Sequence, residues 1–325
     1  MHLHRTLDSP SDRTVNRLII GSLLVLAVGI PILAAIYLTD RFVDPGPPFA
    51  ERQVAALEQA VRASPNTISL RLQLAGAYVA ARRYPDAVRQ FDEVLRVDRS
   101  SRTAHLGRGN VLLLEGDLDA AAKEFQAVVD LAQGGEFALA DVELHEAWYN
   151  LGSIALRQGK AADAIPPLNQ ALKIRPTDAD TLHLLGSAYL ETGQLDRAVE
   201  SLRSAVLFVP LDWSEPYAAL ERTYTRLGAT AEAAWAGAMV ELCQGHPDVA
   251  RKRLAGLVDG PAATDALLGL AMIAEKAGDR AGAADLYRRV LERDSGNFNA
   301  RVGLGRVGDA APGPASPTSD PAGSS

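Results

Sequence analysis

Three ladders of small residues recur along this chain at a spacing close to 34, and no other feature restricts its fold as severely. Ala75, Gly109, Gly152 and Gly186 form the first, with steps of 34, 43 and 34. Ala87, Ala121, Ala164, Ala198, Ala233, Ala250 and Ala283 form the second, stepping by 34, 43, 34, 35, 17 and 33. Gly116, Gly159, Gly193, Gly228, Gly245 and Gly278 form the third. A unit of that length is too short to enclose a core and buries its apolar side on its neighbours, so a stacked array of helix pairs is expected.

Each ladder has a physical task within the unit. Trp148 and Leu151, three residues apart, share a face of the first helix. Gly152 beside them allows the partner helix to approach closely. Gly159 is placed to take the left-handed conformation that ends the first helix. Ala164 is the small contact on the second helix, Ala171 and Leu172 continue its buried stripe, and Pro176 stops it. Pro166 and Pro167 are expected near the first turn of that second helix, where Pro166 is tolerable and Pro167 costs more.

Residues 145–178, HEAWYNLGSIALRQGKAADAIPPLNQALKIRPTD, resemble a tetratricopeptide repeat through the W-x2-L-G and A…P landmarks. Ala155 stands where the family usually has Tyr, and Tyr189 restores it in the next unit. Residues 179–212, 68–101 and 102–135 match similarly, through Leu185, Gly186, Gly193 and Pro210, through Leu74, Tyr78 and Phe91, and through Gly116 and Phe125. Residues 214–247 and 264–297 are more degenerate. The 17-residue step between them makes the helix around Ala231–Gln244 the second of one unit and the first of the next. Residues 50–64 resemble a lone second helix and Asn299–Val307 a short cap. The resemblance implies an all-α fold, a right-handed superhelical solenoid over residues 50–308.

Outside that region the composition changes. Leu18–Leu38 carries no charge over 21 residues, which at about 1.5 Å per residue crosses a hydrocarbon core of about 30 Å. An uncleaved signal anchor is expected there, because the run exceeds the usual apolar core of a cleaved signal and no small-x-small site follows Ala35. Arg5, Arg13 and Arg17 precede the span, whereas Arg41 and Arg52 follow it. That bias places residues 1–17 in the cytoplasm and the C-terminal domain on the extracytoplasmic side of a bacterial cell membrane. Residues 39–49, with Pro45, Pro47 and Pro48, read as a stiff linker. Residues 309–325, Pro-, Gly- and Ser-rich, have little to bury and read as a disordered tail. The step of 43 holds an insertion, Gln133–Leu144, read as a longer loop or an early helix start, or as a partner contact.

The chemistry expected of an enzyme is absent from the pattern. Gly303-Leu-Gly305-Arg-Val-Gly308 spells G-x-G-x-x-G without the strand, following helix and later acid of a dinucleotide site. His105, His145, His183 and His246 fall in different units without ligand spacing, and His2-x-His4 supplies too few ligands for a structural zinc. Cys243, the one cysteine, reads as a small buried residue. Asp117 and Asp119 read as caps in an inter-helix turn. Net charge is −7 with no basic block, so nucleic acid is not an expected partner. No cofactor, metal or small-molecule substrate is expected.

What remains is the concave surface that first helices line in this family, where a protein or peptide partner is implied. Projecting the repeat frame selects Leu72, Leu106, Asn110, Leu113, Tyr149, Asn150, Ser153, Arg157, His183, Ser187, Leu190 and Arg222. Asn and Arg bond a peptide backbone, whereas Tyr149 and the leucines offer apolar contact. Leu72 and Leu106 stand where the family's carboxylate clamp has Lys, which argues against acidic chaperone tails as partners. The reading is a non-enzymatic, membrane-tethered scaffold or chaperone assisting assembly of exported or membrane-complex proteins, by analogy with apocytochrome-presenting or secretion-associated factors. The alternatives are a permanent subunit of a membrane complex and an adaptor facing the cytoplasm.

Overall fold

In a computed structural model the described residues are 49–132 and 140–308. They form fifteen α-helices running from Phe49 to Val307. The first five are α1 (Phe49–Ala63), α2 (Ile68–Ala80), α3 (Tyr84–Val97), α4 (Arg102–Glu115) and α5 (Leu118–Ala132). The next five are α6 (Val142–Arg157), α7 (Ala161–Ile174), α8 (Ala179–Glu191), α9 (Leu195–Phe208) and α10 (Glu215–Leu227). The last five are α11 (Thr230–Cys243), α12 (Pro247–Ala255), α13 (Ala263–Lys276), α14 (Arg280–Arg293) and α15 (Phe298–Val307). Each helix packs on the one before and the one after, and the even-numbered helices α2 to α10 also touch one another in series. That series is the inner row of a helical-repeat array.

The ladders perform the expected tasks. Ala75, Gly109, Gly152 and Gly186 are buried. A Cβ built on Gly186 would lie 2.5 Å from Cγ of Leu202 and 3.2 Å from its backbone nitrogen. The alanine ladder is fully buried except Ala233, which is partly covered. All six glycines of the third ladder have positive φ, between 73° and 85°. In the first unit the equivalent position is Arg82, at φ 57°, so a charged side chain occupies a backbone slot that glycine fills elsewhere. Several helix starts are capped by side chains: Asp141, Asp178, Asp279 and Asn297 each accept from a backbone N–H three residues on.

The half-length step has a definite structural effect. Helix α11 pairs with α10 as an outer helix, then pairs with α12 and touches α13 in the manner of an inner one. The series α2 to α10 therefore ends there, and α11, α13 and α15, touching one another in turn, form a second series. That second series starts from α11, the outer partner of α10. Arg203 on α9 reaches Asp265 on α13 through two bonds, 2.8 and 3.0 Å, and bridges 62 positions where ordinary neighbour contacts span about half that. A cavity of about 230 Å³ lies beside this bridge, walled by Tyr217, Trp235, Met239 and Met272.

Two local expectations need correction. Pro166 and Pro167 are the sixth and seventh residues of α7, inside the helix rather than in its first turn. The carbonyls that lose their N–H donors belong to Ala162 and Asp163, both exposed residues on the solvent side of the helix. Asp117 does cap α5, accepting from the Ala120 N–H at 3.0 Å. Asp119 is instead within α5 and accepts from the Gln158 amide of the next unit at 2.9 Å. Leu18–Leu38, the tails, all of the linker but Phe49, and residues 133–139 of the insertion lie outside the described residues. Among those described, no helix is long and apolar enough to cross a membrane. Of the insertion's acids, Asp141 and Glu143 are engaged by Arg102 on α4, and Thr103 donates to Glu143 at 2.6 Å.

Candidate functional site: the inner surface of the array

The side chains projected onto the inner surface divide by burial. Leu72, Asn110, Leu113, Tyr149, Ser153, His183 and Ser187 are partly exposed, and Arg157 and Arg222 are open to solvent. Leu106 and Leu190 are 8% and 3% exposed and belong to the packing between units. Asn150, at 7%, is buried as well. These three were expected on the groove. Packing against neighbouring helices, in their own and adjoining units, covers them, and helix periodicity alone does not register that cover.

The polar residues are partly committed to one another. The Asn110 amide donates to Glu146 at 2.9 Å, and Asn150 reaches Asn110 at 3.5 Å, so both asparagines tie α4 to α6 before any ligand arrives. Arg222 stands 3.9 Å from Glu191, both well exposed. His183 meets Trp213 edge to face, with ring centroids 5.1 Å apart. Burial pushes the His183 imidazole below its ordinary range, against the opposing pull of Glu215 and Asp180. Burial also raises the Tyr149 phenol, with Asp180 and Asp178 adding to the rise. The Tyr149 hydroxyl has no hydrogen-bond partner among the described residues. Tyr149 with His183, and Ser153 with Ser187, are pairs 34 residues apart, so equivalent positions on α6 and α8 present hydrogen-bonding groups at one register.

Beside this stripe is a recess of about 220 Å³ between α6 and α8, lined by His145, Glu146, Tyr149, Arg175, Asp178 and Asp180. The periodic projection passed over His145 and Glu146, which precede Tyr149 by four and three residues. The i, i+3/i+4 spacing to Tyr149 was the signal that could have found them. Cys243 is half-buried, and burial raises its thiol, which keeps it protonated rather than nucleophilic. Among the described residues no group of three or more His, Cys, Asp or Glu could hold a metal ion.

An array of helix pairs with an inner surface of this kind defines a protein-binding repeat scaffold. Tetratricopeptide-repeat family profiles match residues 72–136 and 236–298, and a second such profile matches residues 155–223. The chain is a tetratricopeptide-repeat protein. It is 27% identical over 160 residues to the BBSome complex member BBS4 of Bos taurus, covering 49% of this chain and 29% of that protein. It is also 27% identical over 160 residues to DnaJ homolog subfamily C member 3 of Gallus gallus, covering 47% of this chain and 31% of the relative. The chain thus spans about three-tenths of the length of these curated relatives. In fold it is similar to YrrB, described as a TPR protein with an unusual peptide-binding site, at TM-score 0.50 and 19% identity, over 61% of this chain and 96% of that one.

Proposed function

We propose that the protein holds a partner polypeptide along the inner row α2 to α10, and does so tethered to a membrane through Leu18–Leu38. The observation that carries the first part is the register of Tyr149, Ser153, His183 and Ser187, partly exposed hydrogen-bonding side chains at equivalent positions of consecutive inner helices. The tether rests on the length and apolar character of that segment and on the arginine bias around it. Confining the scaffold to the bilayer surface raises its effective concentration toward exported or membrane-embedded clients. The working role is assistance in assembling such proteins on the extracytoplasmic face of a bacterial membrane.

The test is photo-crosslinking in cells from probes at Tyr149 and His183, with mass spectrometry of the trapped adducts. Exported or membrane-complex proteins among the adducts support the reading, and their compartment reports the topology. Adducts from cytoplasmic proteins alone favour an adaptor facing the cytoplasm. One stoichiometric adduct that also co-purifies in detergent favours a permanent complex subunit. Absence of adducts from both positions removes the groove as the working surface.

A further inference from the structure

We infer that the recess between α6 and α8 is a site for one cationic side chain, Lys or Arg, of the polypeptide lying in the groove. The inference rests on the groove reading above and gives that surface a chemical preference. Three carboxylates, Glu146, Asp178 and Asp180, line the recess against one cation, Arg175. The Arg175 side chain is 56% exposed and stands 3.8 Å from Asp178, a loose pairing that solvent screens. An incoming cation therefore meets a net negative wall.

A second observation is independent of charge. His145 is only 6% exposed and is one of the residues lining the recess, and its buried Nε2 has no hydrogen-bond partner. The nearest carboxylate oxygen, on Asp178, is 3.8 Å away and already accepts from the backbone N–H and hydroxyl of Thr181 at 3.0 and 2.5 Å. A buried polar atom left unsatisfied is costly, so such atoms are rare in folded proteins. Burial keeps the imidazole neutral, its pKa lowered despite Asp178, and a neutral ring has one nitrogen with a lone pair free to accept. An ammonium or guanidinium N–H aimed at Nε2 supplies that bond. The Tyr149 hydroxyl, unpartnered, is a further acceptor on the same wall. The exposed Val142, which also lines the recess, offers apolar surface to the aliphatic stem of a Lys or Arg.

The test uses the full chain and four acetylated, amidated five-residue peptides, Ala-Ala-X-Ala-Ala, with X as Lys, Arg, norleucine or Glu. Binding is followed by isotope-edited NMR of the His145 ring and the α6 and α8 amides at low salt. The expected result is that the Lys and Arg peptides bind about tenfold or more tightly than norleucine, the difference of one charge-assisted bond, and shift the His145 ring. Asp180→Asn, at an exposed position that caps nothing, weakens the cationic peptides severalfold and leaves norleucine unchanged. Tyr149→Phe does the same to a smaller degree, with the circular dichroism spectrum unaltered. Equal affinity for norleucine and Lys, or shifts that avoid His145, overturns the cation site while the groove stands. Absence of binding by all four at millimolar concentration also overturns it, and the groove then stands or falls on the crosslinking result.

Discussion

The sharpest test of how this array is held together is a single methyl group on Gly186, set against the same change at Gly76. In α8 the added Cβ would lie 2.5 Å from Cγ and 2.8 Å from Cδ2 of Leu202, and 3.2 Å from the Leu202 backbone nitrogen. Ordinary carbon contacts are about 3.5–4.0 Å, so the shortfall is about 1 Å. Leu202 is fully buried and belongs to the core shared with α10 and α11, and a backbone atom cannot rotate away. Overpacking of this kind costs about 1–3 kcal/mol. Replacing a mid-helix Gly by Ala returns about 1 kcal/mol of helix propensity. The net expectation for Gly186→Ala is a loss of up to about 2 kcal/mol. Gly76 in α2 is exposed, with nothing within 4 Å of its would-be Cβ, so Gly76→Ala should gain about 1 kcal/mol. Urea unfolding by far-UV circular dichroism measures both, with the slope m checked for constancy. Because repeat arrays can open locally, hydrogen exchange in α8 and α9 should reproduce the sign. Combining Gly186→Ala with Leu202→Ala should show favourable coupling of about 1 kcal/mol or more, since the new methyl then occupies space the leucine vacated. If Gly186→Ala stabilises as much as Gly76→Ala does, close approach of paired helices is not what holds glycine at this ladder.

Three further outcomes are expected. Arg82→Gly relieves a left-handed backbone strained by about 1–2 kcal/mol for an L-residue and adds unfolded-chain entropy of about 0.5–1 kcal/mol, so the urea midpoint should rise slightly; a clear fall contradicts the positive φ. Asp265→Asn weakens the two-bond clamp to a partly exposed Arg203 and should cost about 1 kcal/mol after screening, seen as faster exchange where α9 meets α13; unchanged exchange refutes the clamp. His145 and His183 are both held below the ordinary histidine range by burial, so the unfolded chain binds their protons first. Stability is then complete above about pH 6.5 and declines as the pH falls through the histidine range; His145→Gln should flatten part of that decline, and a midpoint constant from pH 7 to about pH 5.5 argues against it.

The stacked helix pairs were legible because their causes are local and periodic. A left-handed helix end wants Gly, a close crossing wants Gly or Ala, and both demands return with every unit. Even the half step was readable, since the alanine and glycine ladders shift together at Ala250 and Gly245. The site was less so. Tyr149, Ser153, His183 and Ser187 do lie partly open on the inner row, but Leu106, Asn150 and Leu190 are buried in the packing between helices.

The amino-acid order alone therefore determined that this chain stacks as tetratricopeptide-type helix pairs, and where its helices end, because those outcomes depend on spacings within about one unit. It also marks Leu18–Leu38 as a segment set apart by its own composition. Tertiary structure alone decided which inner residues meet solvent, and that His145, with a buried unpaired nitrogen, lines a carboxylate-rich recess. The reason is geometric: each depends on how one unit is rotated against the next, a relation between residues far apart in sequence that no single helix encodes.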